Sequence, residues 1–252
     1  MLNTQTINAL RGACDEFNVP VPAVVLEADA LNDAAVNLLN SIRTETAPDL
    51  SGLTVKNLKA THEQIVAQGS HDAREQAAAV IVQQAASRLT DAWHQSTTAL
   101  MAAFREPFDR AAEIFTTNLR VLGGNVDAVR AIDDSQHGEY RALMSAAADL
   151  ATLGRLRDGL ASAHLADVGN PKIERLGRVL TLPDLDVATR KIPAKVEGLG
   201  RFEPKWWAAL AGIDGVVIKW HTPAEQQTHQ QLARVNADHH AYSATVAPGG
   251  RR

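Results

Sequence analysis

The strongest constraint on how this chain folds is a stripe of thirteen residues. Ala78, Val82, Ala86, Leu89, Trp93, Thr97, Leu100, Phe104, Phe108, Ala111, Phe115, Leu119 and Leu122 follow steps of four, four and three, repeated four times without a slip. Only Thr97 among them is polar. Eleven residues in three turns is about 3.67 per turn, close to the natural period of an α-helix, so the stripe stays on one helical face. At a rise of about 1.5 Å per residue, positions 78 to 122 span roughly 67 Å if the helix is unbroken. Pro107 works against continuity, because it lacks a backbone donor and its ring crowds the carbonyl of Ala103. The stripe keeps its phase across Pro107, so a kinked continuous helix is expected, ending at Gly123-Gly124-Asn125.

Other helices surround this one. Ile7, Leu10, Cys14 and Phe17 mark an amphipathic helix over 4–17, stopped by Asn18-Val-Pro-Val-Pro22. Cys14 reads as a small core residue, since no His or basic residue adjoins it. Val24, Ala28, Leu31, Ala35, Leu38 and Ile42 form a heptad seam on a helix over 23–44. A third helix is expected over 55–68. Gly69-Ser70 then suggests a helix stop followed by a new helix start. Tyr140, Leu143, Ala147, Leu150, Leu153 and Leu160 give an apolar face over 139–165. Gly154 and Gly159 in that helix suggest a close approach by a neighbour.

The character changes at Gly169. Pro171, Pro183, Pro193 and Pro204 follow in quick succession. Residues 178–182, 187–192 and 216–220 read as short strands, and 204–211 as a helical turn ending at Gly212. Thr222-Pro-Ala-Glu225 is a helix start of the capping-box type. The last residues, from Ala247, read as a free tail. The expected fold is therefore mainly α. A helical domain over 1–168, bundled or coiled-coil-like around one long central helix, precedes a small mixed α/β region over 169–252.

Composition narrows the function. Aromatic residues are only 4% of the chain, so the core rests on Ala, Val, Leu and Ile. A single cysteine excludes an internal disulfide and any zinc site built on paired cysteines. The N-terminal residues lack the basic start and apolar run of a signal peptide, and no apolar run is long enough for a membrane helix. A cytoplasmic protein, or one assembled there into a particle, is expected, with no membrane contact. Net charge is −4, unevenly spread: residues 1–154 hold 11 Lys/Arg against 19 Asp/Glu, and residues 155–252 hold 14 against 10. Ordinary surface variation accounts for this, or the C-terminal part meets something acidic.

Catalytic signatures are missing. There is no phosphate-binding loop, no nucleophile elbow and no complete dinucleotide fingerprint. His62-Glu63 opens like a zinc-protease helix, but Val66 stands where the second His belongs. His221, His229, His239 and His240 gather late, without a carboxylate at a supporting offset, and read as solvated polar residues. No cofactor and no metal are expected, and no enzymatic role.

Trp206, Trp207 and Trp220 lie among Arg201, Lys205 and Lys219. They suit the core of a small region, the anchor of a protein interface, or a stacking platform for single-stranded nucleic acid. Trp206 and Trp207 are adjacent and diverge by about 100° on a helix. One of them should therefore reach beyond its own region, docking the C-terminal part on a helical segment of the same or a neighbouring chain.

The function expected is structural: an assembly protein that self-associates or binds a protein partner through the long helix. A phage- or virus-like structural or scaffolding component belongs to this class by analogy of architecture. Its interface candidates are Leu89, Trp93, Leu100, Phe104, Phe108, Phe115, Leu119, Trp206, Trp207 and Trp220. The alternative is a nucleic-acid-associated protein using the basic, Trp-containing C-terminal region.

Overall fold

The computed structural model describes residues 4–44, 58–128, 135–162, 176–183, 187–222, 224–226 and 228, with side chains described at all of these except 4, 58–70, 161–162 and 188–189. The chain is mainly helical. Helices α1 (Thr4–Glu16), α2 (Ala23–Arg43), α3 (Leu58–Gln95), α4 (Thr97–Ala103), α5 (Arg105–Val121) and α6 (His137–Ser162) come first. Strand β1 (Leu180–Thr181), a π-helical turn (Val187–Lys191), α7 (Ile192–Val196), α8 (Pro204–Ala211) and strand β2 (Val217–Ile218) follow. Two compact units result: Met1–Pro20 with Thr97–Arg252, and Val21–Ser96. The composition change at Gly169 lies inside the first of these.

The expected continuous helix over 78–122 is three helices instead, with breaks at Ser96 and Phe104. Pro107 explains the second break. Stopping at Phe104 (φ −75°, ψ −6°) moves the proline from a helix interior into the first turn of α5, where its missing donor matters least. The amides of Phe104 and Phe108 still bond to the carbonyls of Leu100 and Phe104, at 2.9 and 3.2 Å.

Two helix ends use the same device. After α1, Asn18 takes a left-handed conformation (φ 53°) while the Val19 amide bonds back to the Cys14 carbonyl at 2.8 Å. After α5, Gly123 (φ 61°) does the same as the Gly124 amide reaches the Leu119 carbonyl at 2.8 Å. Both are Schellman closures, which satisfy carbonyls that the helix leaves open.

In the Val21–Ser96 unit, α2 and α3 pack as an antiparallel hairpin. Leu39 and Ile42 meet Ala78 and Val82, and Arg43 Nε pairs with Glu75 Oε1 at 2.7 Å. The separate helices expected on either side of Gly69-Ser70 are one helix, α3. A glycine inside a helix costs only about 1 kcal/mol, which a helix of this length absorbs. The seam of α2 also differs from expectation. Val25, Ala35, Leu39 and Ile42 are buried, whereas Val24, Leu31 and Leu38 of the expected seam are exposed. On α3 Ala78, Val82, Ala85, Leu89 and Ala92 are buried or half-buried in matching register, whereas Ala86 of the stripe is exposed. Both helices thus face each other with alternating steps of three and four.

In the other unit, α6 is the centre. Leu143, Ala146, Ala147, Leu150, Leu153, Leu156 and Leu160 are buried, a face wide enough to take α1 and α5 together. Each fully buried leucine contributes about 1.5–3 kcal/mol relative to exposure. Gly159 lies where α1 comes close: a Cβ there would sit 3.4 Å from Thr6 Cγ2. Gly154 admits the ring of Phe202, whose Cε1 would lie 2.7 Å from a Cβ at that position. Cys14 is buried on α1, and burial, aided by the charge of Asp15, pushes its thiol up to about 11.

The strand reading holds at β1 and β2, which pair antiparallel with Leu180 opposite Ile218 and Thr181 opposite Val217. It fails at 187–192, which is a π-helical turn running into α7. Pro193 is at the second position of α7, where its fixed φ favours a helix, and Ala188, Arg190, Lys191 and Ala194 around it are better helix than strand formers.

Candidate interaction surfaces

The C-terminal elements are anchored on α5 and α6 through aromatic rings. Phe108 of α5 lies 6.1 Å from Trp207 and 5.5 Å from Trp220, centroid to centroid. Phe202 lies 5.5 Å from Trp206 and 5.7 Å from Trp207, and the two tryptophans meet edge-on at 4.7 Å. The divergence of adjacent helical side chains is resolved by Phe202, which contacts both rings, while Trp207 continues to Phe108. The indole nitrogens of Trp207 and Trp220 are buried without an acceptor, so packing holds these rings rather than polar contact. The backbone amide of Trp220 donates to Asp109 Oδ1 at 3.0 Å, which ties the segment after β2 to α5.

A buried polar cluster fixes the same segment from the side of α6. Arg157 has no exposed surface, and its Nε and Nη2 both donate to the His221 carbonyl, at 3.0 and 2.8 Å. Its guanidinium stands 5.7 Å from the Trp220 ring centroid. Burial lowers its pKa to about 10, helped by the charge of Arg178 and opposed by that of Asp158. Asp158 is held by two arginines: Arg178 Nη1 at 3.1 Å and Arg201 Nη1 at 2.6 Å. His221 Nε2 lies 3.0 Å from Thr181 Oγ1. The expected capping box forms as well: the Thr222 amide donates to Glu225 Oε2 at 2.9 Å, and the Glu225 amide to Thr222 Oγ1 at 3.4 Å. Arg105 Nη1 of α5 adds an ion pair to Glu225 Oε1 at 2.9 Å.

Of the interface candidates read from the sequence, Trp93, Leu100, Phe104, Phe108, Phe115, Leu119, Trp206, Trp207 and Trp220 are all buried inside the chain, and Leu89 is half-buried on α3. From Leu100 to Leu122 the stripe is core, because α6 packs on α4 and α5, and α8 on α5. Of the late histidines, His221 is buried against Thr181, and His229, His239 and His240 lie outside the described residues. Among the described residues, no group of three or more His, Cys, Asp or Glu could hold a metal ion. Nor is any helix there long and apolar enough to cross a membrane.

Two surfaces remain that the sequence reading missed. The first runs along one flank of the α2–α3 hairpin. Val24, Leu31 and Leu38, seven residues apart, are 45%, 41% and 45% exposed, and Ile81 of α3 is 45% exposed. Glu27, Arg88 and Asp91 border the shallow groove between the two helices on the Val24–Leu31 stretch.

The second surface is a groove of about 1070 Å³ in the other unit, between α5, α8 and β2. Ala112, Leu119, Ala208, Val216 and Ile218 contribute its apolar lining. Around it stand Arg120, Lys195, Lys205 and Lys219, against Asp109 and Glu113. Asp109 is already engaged by the Trp220 amide and by Arg105, and none of the four cations forms an ion pair among the described residues. The charge asymmetry of the C-terminal part was the only sequence signal for this groove. Its cations are spread over a hundred residues of chain, and only the fold brings them together.

No protein-family model, curated protein or solved structure matches the chain.

Proposed function

We propose that this is a structural or assembly protein, cytoplasmic, which associates with copies of itself or with a helical protein partner. One observation carries this reading: the exposed apolar row Val24, Leu31, Leu38 and Ile81 on the α2–α3 hairpin. A two-helix hairpin buries only one seam, and coiled-coil-like packing against a further helix would cover this flank. The expected interface thus moves from the buried stripe to the outer side of the hairpin. Sedimentation equilibrium of the full chain is the test. Assembly at micromolar concentration, reduced by replacing Leu31 and Leu38 with serine, is expected. A wild-type chain that stays monomeric over that range, and binds no protein partner through α2, refutes the proposal.

Nucleic-acid association is the second reading, and Arg120, Lys195, Lys205 and Lys219 favour it. Trp206, Trp207 and Trp220 are buried and offer no ring for base stacking. Phosphate contact would be its whole basis, so binding to DNA or RNA should weaken steeply with salt. Salt-independent or undetectable binding at low ionic strength removes it.

A further inference from the structure

We infer that the cation-rimmed groove of one copy receives the exposed face of α2 from a second copy, so that the chain assembles head to tail. The inference rests on the proposed self-association and adds the identity of both halves of the contact. It joins two surfaces that are otherwise unexplained.

The chemistry of the two is complementary. The groove offers an apolar lining from Ala112, Leu119, Ala208, Val216 and Ile218, with four cations around it. The unit that carries α2, Val21–Ser96, holds nine Asp/Glu against five Lys/Arg. On α2 itself, Val24, Leu31 and Leu38 form an apolar row, with Glu27 in line between the first two. Asp91 and Arg88 of α3 border the same stretch, so with Glu27 its border carries two acidic groups against one basic. These apolar side chains are two helical turns, or about 10.5 Å, apart, so an inserted helix would bring them to successive positions along a groove. Acidic groups beside the row would then meet Lys195, Lys205 and Lys219 at the rim. Pairing α2 with α2 of another copy would satisfy the apolar row, yet it would leave the four cations of the groove without a partner.

A groove on one unit and a helix face on the other are different surfaces, so the contact is heterologous. Such contacts propagate into rings or open chains rather than stopping at a two-fold dimer. That outcome suits an assembly protein.

The test uses two full-length variants, each damaged on one side only. A groove variant carries Lys195→Glu and Lys205→Glu, both at exposed positions. A helix variant carries Glu27→Lys and Leu31→Ser, also exposed. Circular dichroism and thermal melts establish that both fold as the wild type does. If Lys195→Glu and Lys205→Glu disturb folding, Arg120→Glu with Val217→Glu tests the same groove from its other side. Sedimentation velocity is run at a concentration where the wild type is assembled. Each variant alone is expected to run as a monomer. A 1:1 mixture is expected to give a heterodimer and nothing larger, because each pair retains one intact groove and one intact helix face. Added salt should reduce wild-type assembly, since the rim contacts are screened. If groove variants assemble like the wild type while the helix variant does not, this inference is overturned and self-association through α2 stands. If the mixture stays monomeric although the wild type assembles, the head-to-tail contact is overturned. A wild type that is itself monomeric overturns both.

Discussion

Phe108 is where the helical stripe and the C-terminal elements meet, so replacing it tests the architecture most directly. The ring is fully buried and makes two aromatic contacts, with Trp207 at 6.1 Å and Trp220 at 5.5 Å. Truncating a buried phenylalanine to alanine costs about 3–5 kcal/mol when the cavity cannot collapse. Loss of two aromatic pairs, each contributing about 0.5–1.5 kcal/mol, places Phe108→Ala in the upper part of that range. Collapse is resisted here because Trp220 is also tied through its amide to Asp109, and its segment is held by Arg157 through the His221 carbonyl. Urea unfolding followed by tryptophan fluorescence is the assay, since three of the four tryptophans belong to this unit. With a slope of about 3 kcal/mol per molar urea, a loss of about 4–5 kcal/mol lowers the midpoint by about 1.3–1.7 M. Phe108→Leu, which keeps much of the buried volume, should lose clearly less. A midpoint change under about 0.3 M for Phe108→Ala, a loss below about 1 kcal/mol on that slope, would show that the C-terminal region does not pack on α5 as described.

Two further substitutions probe the same unit. Gly154→Ala improves intrinsic helix propensity by about 1 kcal/mol but drives a Cβ into the Phe202 ring, so the protein should be destabilised; a higher melting temperature would contradict the contact. Charge effects should separate by sign in thermal melts across pH. Burial, with a smaller contribution from Glu16, holds the Asp149 carboxyl above its ordinary value. Its contribution to stability is present below the unfolded value and lost as pH rises through the folded one, so Asp149→Asn should gain stability at pH 7 and nothing near pH 3. Glu225 is pushed up by burial but more strongly down by bonds from Thr222 and Arg105. Its contribution is present above the ordinary Glu value of about 4.3 and lost as pH falls through the lower folded one. Glu225→Gln should therefore be weaker than the wild type at pH 7, with the difference closing in acid; parallel pH profiles for both variants would refute these assignments.

Local chemistry alone determined much of this chain. The 4-4-3 stripe marked residues that are buried from Leu100 to Leu122. Asn18 and Gly123-Gly124 announced helix ends, Gly212 the end of α8, and Thr222 with Glu225 a cap, because each of these effects acts within one turn of backbone. Tertiary structure decided what depends on neighbours. α2 carries two overlapping apolar rows, and only the approach of α3 selects Val25, Ala35, Leu39 and Ile42 for burial while leaving Val24, Leu31 and Leu38 outside. Gly69-Ser70 looked like a boundary, yet α3 runs through it, since the cost of one glycine is small against a long helix. Residues 187–192 gave too short an apolar pattern to separate strand from helix, and the structure turned them into α7 and the turn before it. The groove shows the same division. Arg120, Lys195, Lys205 and Lys219 are far apart in the chain, and a charge count cannot place them around one apolar surface. Periodicity reports which side of a helix is apolar. Whether that side meets its own chain or another depends on packing among distant segments, which one helix's sequence does not encode.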